Sequence, residues 1–139
     1  GDITRRVYLA SLPIVVATGL WVWMDELATR LDDERSGRRT LVIIFGLRFS
    51  GRCGTPALAV LLFASLLAAA FSRSVHPLSL FMLLCAGLAW KISATSWTEY
   101  SCPDRIMEAR KQAFRLHLAT CSIIAASSLA IHPRTCLPP

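Results

Sequence analysis

Asp25, Glu26, Asp32, Asp33 and Glu34 place five carboxylates within ten residues, with Arg30, Arg35, Arg38 and Arg39 in and just beyond the same stretch. On a helix, Asp25, Thr29 and Asp33 recur at i, i+4 and i+8 and Asp32 lies beside them at i+7, so three carboxylates share one face. Like charges so placed repel, and a cation must offset them. A divalent metal bridging to an anionic substrate is one answer, because Mg²⁺ takes a few carboxylates together with phosphate oxygens. The other is plain ion pairing, with Arg30 and Arg35 neutralising the row in solvent.

The elements that carry this cluster are apolar. Of 139 residues, 54% are hydrophobic and 17% charged, against roughly a quarter charged in an average soluble domain. The deficit is concentrated in four runs, 7–24, 53–72, 74–90 and 116–131, which show no strand-like alternation. The first holds 18 residues without a charge, a rise of about 27 Å as a helix, enough to cross a hydrocarbon core. The expected fold is therefore all-α, a single integral membrane domain over 1–139 with four transmembrane helices. Pro13, Pro56 and Pro77 sit near the starts of their runs, where a missing N–H costs little. The stretch 40–47 is too short to cross and predicts a short helix or the first turns of the second span.

Charge placement orients the bundle. Of the 15 Lys and Arg residues, eleven lie in the polar segments 25–52 and 91–115 and four lie elsewhere. Those two segments are thus expected as cytoplasmic loops, with Trp21, Trp23 and Trp90 at the cytoplasmic interface. The formal net charge of +6 is then accounted for at a membrane surface, with no call on nucleic acid as a partner. Cys53, Cys85, Cys102, Cys121 and Cys136 form no CxxC pair and no zinc spacing, and Cys85 and Cys121 read as small core residues. The chain opens on Gly1 and shows no signal-peptide cleavage pattern, as expected for a sequence that begins inside a longer gene.

The order of residues at 25–46, DELATRLDDERSGRRTLVIIFG, resembles the second aspartate-rich motif of the UbiA superfamily of intramembrane prenyltransferases. In that family a span ends in Asp-x-x-x-Asp, followed by Gly, a basic residue, Thr and a short apolar stretch closing on Gly. Asp33, Gly37, Arg38, Thr40, Leu41 and Gly46 match by position, and KQAFRLHLATC at 111–121 is similar to the start of the family's last span. The resemblance implies that the four runs are the last four of nine spans, a carboxy-terminal half, with the acidic motif on the cytoplasmic side. It further implies Mg²⁺ as cofactor, held by Asp33, Asp25 and Asp32, with Arg38 and Arg39 on the diphosphate of an isoprenyl donor. Guanidinium forks suit phosphate. The reaction implied is transfer of the isoprenyl group to a lipophilic or aromatic acceptor.

Two departures qualify the match. Thr29 stands where the family usually has Asp, and the family's first motif, Asn-Asp-x-x-Asp-x-x-x-Asp, does not occur in this sequence. The chain is accordingly expected to be silent alone and to pair with an amino-terminal half. Two other readings fit the same residues: a membrane terpene cyclase, which also ionises a diphosphate, and a four-span subunit without catalysis. Lys91 reads as a snorkelling side chain and His117 as a helix-face residue with a local partner. Tyr100, Asp104, Arg110, Lys111 and Arg115 read as a solvated loop.

Overall fold

The computed structural model describes residues 2–72 and 82–131, with side chains over 7–72 and 82–127. In chain order they form α1 (Asp2–Arg35), α2 (Leu41–Phe45), α3 (Leu47–Phe49), a π-helical turn (Ser50–Gly54), α4 (Thr55–Phe71), α5 (Ala86–Thr98) and α6 (Pro103–Ile131). No strand occurs among the described residues. The all-α expectation therefore holds.

At 34 residues α1 is about 50 Å long, well beyond the roughly 30 Å of a hydrocarbon core. The charge cluster and the apolar run thus belong to one unbroken rod. Val7–Arg35 and Leu47–Phe71 are each long and apolar enough to cross a membrane. The run at 116–131 forms the second half of α6, while most of the run at 74–90 lies outside the described residues.

Several boundaries differ from the sequence reading. Pro13 lies well inside α1 with its ring buried, so the helix passes through it at the loss of a backbone hydrogen bond. The second apolar helix starts at Leu47, earlier than the apolar run, and continues through the π turn into α4. Pro77 is outside the described residues. The polar segment 91–115 is helical over 91–98 and 103–115, leaving only 99–102 irregular. Trp90 falls in the middle of α5 and is exposed, away from a helix end. The short helix expected at 40–47 is α2. Cys85 and Cys121 are only half-buried at the edge of the core.

The core is a seam of α1, α4 and α6. Leu20, Met24 and Leu27 of α1 meet Leu62 and Leu66 of α4 and Ile106, Ala113 and Leu116 of α6, with Ile92 of α5 and Val42 of α2 closing the ends. Outside this seam the helices remain apolar: Val60, Phe71, Leu84 and Trp90 are each more than two-thirds exposed. A helix that is hydrophobic all round but buried on one side only is suited to a lipid surround.

The π turn is the point of closest approach. Its wider winding brings the Thr55 N–H onto the Ser50 carbonyl, and side-chain donors from two other helices reach the carbonyls of the turn. Trp23 Nε1 of α1 donates to the Ser50 carbonyl at 3.2 Å. Ser96 Oγ of α5 lies 2.9 Å from both the Gly51 carbonyl and Thr55 Oγ1, and its single proton goes to one at a time. Gly51 and Gly54 permit this: a Cβ on Gly51 would overlap Tyr100 and the Ser96 carbonyl, and one on Gly54 would overlap the Trp23 indole.

Gly51→Ala is expected to lower the thermal unfolding midpoint in detergent, at a cost of about 1–3 kcal/mol for overpacking against backbone. Gly19→Ala, where a Cβ meets nothing within 4 Å, should leave the midpoint unchanged or raise it. Equal effects of the two would contradict the close approach.

Candidate functional site

The site is built on the carboxyl end of α1. Gly37 adopts φ +73°, and the Arg38 N–H reaches the Asp33 carbonyl at 2.9 Å while the Gly37 N–H meets the Glu34 carbonyl at 3.3 Å. This is a Schellman stop, in which a left-handed residue closes the helix and its carbonyls are satisfied. Ser36 Oγ also donates to the Asp33 carbonyl. Gly37 follows Asp33 by four residues for this reason, and the reversal brings Arg38 Nη1 back to 3.7 Å from Asp33 Oδ1.

Asp33 is the buried carboxylate of the cluster, 8% exposed. Thr29 Oγ1 lies 3.1 Å from its Oδ2 and 3.0 Å from the Asp25 carbonyl, and the single hydroxyl proton goes to one of them at a time. Asp25 is tied to another helix: Arg110 Nε of α6 stands 2.6 Å from its Oδ1. The approach is off the line of a hydrogen bond, and that buried oxygen is charge-paired without a hydrogen-bond donor. Asp32 points outward to Arg35 at 3.9 Å, both side chains more than four-fifths exposed. Arg30 pairs with Glu34 at 2.7 Å. Arg39 is exposed and has no ion-pair partner among the described residues.

The predicted site residues are therefore brought together only in part. Asp33, Thr29 and Arg38 converge; Asp25 stands about 12 Å back along the helix axis, two turns away; Asp32 turns outward. No three His, Cys, Asp or Glu side chains converge among the described residues. An ion that binds oxygens at about 2.1 Å cannot take Asp25 and Asp33 together. The donor set fits a Mg²⁺ that takes Asp33 from this chain and its remaining oxygens from phosphate and water. It does not fit a closed site of Asp25, Asp32 and Asp33.

Two residues escaped the sequence reading. Arg110, placed in a solvated loop, is the partner of Asp25, and with Trp21, Met107, Lys111, Phe114 and Arg115 it lines a cavity of about 460 Å³. Its position on α6 opposite α1 is a tertiary fact without a local signal. Glu26 reaches across the turn, where its Oε2 accepts from the Val42 N–H at 3.4 Å, in the first turn of α2. Thr40 Oγ1, a matched motif position, is buried without a hydrogen-bond partner. His117 has the local neighbour expected of it in Cys121, whose Sγ lies 3.8 Å from Nε2, but it also reaches across to α1, stacking on Trp21 with its Nδ1 3.5 Å from Thr18 Oγ1. Lys91 is exposed on α5.

No protein-family profile matches the chain, and neither a curated protein nor a solved structure is detectably similar to it.

If the Asp25–Arg110 pair tethers α6 to α1, a double-mutant cycle with Asp25→Asn and Arg110→Gln should give a coupling of about 0.5–1 kcal/mol in detergent unfolding. Additive effects would show that the pair holds nothing together.

Proposed function

We propose that this chain is the diphosphate-handling part of a UbiA-like intramembrane prenyltransferase, a membrane bundle of four spans whose acidic turn faces the cytoplasm. The observation that carries the reading is the state of Asp33. One of its oxygens shares the Thr29 hydroxyl proton with the Asp25 carbonyl, whereas the other is met only at 3.7 Å by a guanidinium that is 76% exposed. Arg38, itself exposed and 3.7 Å away, can turn to a phosphate oxygen, and the buried carboxylate it leaves then requires another cation. The carboxylate stays behind, oriented and poorly hydrated.

In the reaction, the allylic C–O bond of the isoprenyl diphosphate breaks with its electron pair leaving on the diphosphate. The acceptor then attacks the allylic carbon and gives up a proton. Arg38 and Arg39 bind the departing diphosphate through charge-assisted hydrogen bonds. Thr29 orients Asp33 when its proton is on that carboxylate. The chemistry that a Mg²⁺ held at Asp33 supplies is neutralisation of the charge gathering on the leaving group. The apolar faces of α1 and α4 take the isoprenyl chain and keep water from the cationic carbon. A second acidic motif from another segment completes the charge balance, so this chain alone is inactive in our reading.

The test is a calorimetric Mg²⁺ titration of the detergent-purified chain, with and without an unreactive thio-analogue of an isoprenyl diphosphate. The analogue is expected to raise Mg²⁺ affinity by about tenfold or more, about 1.4 kcal/mol. Asp33→Asn should abolish the gain and Glu34→Gln should retain it. Equal affinity with and without the analogue would favour the non-catalytic subunit, with the acidic cluster serving only as ion pairs.

A further inference from the structure

A second cavity, of about 590 Å³, opens beside the π turn, lined by Phe45, Phe49, Trp97, Arg48, Arg52 and Cys53 among others. Its lining holds no carboxylate, and neither arginine has an ion-pair partner among the described residues. The Arg52 guanidinium is held 5.3 Å from the centroid of the Tyr100 ring, and its Nε is buried with no hydrogen-bond partner. A buried cationic N–H without an acceptor forfeits the full cost of its desolvation unless a ligand brings the oxygen. Beside these cations Phe45, Phe49 and Trp97 are each about half exposed, at 53%, 52% and 51%. Unpaired guanidiniums bordering exposed aromatic rings are complementary to a ligand with an anionic head and an apolar body.

The geometry points to a binding site for an anionic phospholipid, with its headgroup phosphate on Arg48 and Arg52 and its first acyl carbons against Phe45, Phe49 and Trp97. The volume lies within the range of small-molecule pockets. Basic pockets flanked by spanning helices suit anionic headgroups, and rings of this kind favour the boundary between headgroup and chain. Inorganic phosphate shares the headgroup's chemistry but offers nothing to the aromatic wall. A lipid bound there bridges α2, α3, the π turn and α5.

Trp97 supplies the readout. The full chain is reconstituted into bilayers containing brominated phosphatidylglycerol or brominated phosphatidylcholine, and the Trp97 contribution to quenching is isolated by subtracting the Trp97→Phe protein. Phosphatidylglycerol is expected to half-quench Trp97 at about a tenfold lower mole fraction than phosphatidylcholine. In the Arg48→Gln/Arg52→Gln protein the two lipids should quench alike, with helix content verified by circular dichroism; Arg48→Lys should keep the preference. Equal quenching by both lipids in the unaltered chain overturns the proposal whatever the variants do. Loss of the preference in millimolar inorganic phosphate also overturns it, showing a site for the free anion. The measurement contains neither Mg²⁺ nor a diphosphate, so its outcome is independent of the Asp33 reading.

Discussion

Backbone carbonyls buried between helices must find donors, and among the described residues that constraint is met at the π turn. The π turn at Ser50–Gly54 presents its carbonyls to Trp23 of α1 and Ser96 of α5. Glycines at 51 and 54 remove the side chains that would otherwise hold the helices apart. Because polar groups that lose water in an apolar surround cost several kcal/mol when unpaired, these contacts fix the register of α1, α4 and α5 together. The apolar seam of Leu20, Met24, Leu62 and Leu116 then packs around a geometry already set.

That register also sets the electrostatics of the acidic end. The charged half of α1 continues the rod whose apolar half is packed, so the carboxylates cannot rearrange independently of the core. Four of the five face a different arginine, Asp25 with Arg110, Asp32 with Arg35, Asp33 with Arg38 and Glu34 with Arg30, while Glu26 accepts from the Val42 N–H. The pairs differ in what they can release. Arg110 is anchored on another helix at 2.6 Å, whereas Arg38 is exposed on the turn at 3.7 Å. Of the two carboxylates they face, Asp33 is the more easily offered to a new cation. The acids form a graded series, and the grading comes from what lies opposite each turn of the helix.

Local chemistry was legible in the chain itself. The apolar runs announced helices and the absence of sheet, because only a helix satisfies its backbone within an apolar segment without alternation. The i, i+4 and i+8 spacing placed Thr29 and Asp33 together, and Gly37 in its proper place ends α1 since φ +73° is open to glycine at no steric cost. The eight-residue stretch at 40–47 was too short to cross and read as a short helix or the first turns of the second span; it holds α2, and Leu47 opens the second apolar helix. What the one-dimensional pattern could not carry were contacts between residues far apart in it. That Arg110 would face Asp25, that α5 would run on past Lys91 to Thr98, and that Ser96 would approach Gly51 depend on how three rods pack. Periodicity says which side of a helix is apolar. Only the packed structure decides which charge stands across from it, because an ion pair between helices is set by their relative rotation and height, quantities no local spacing encodes.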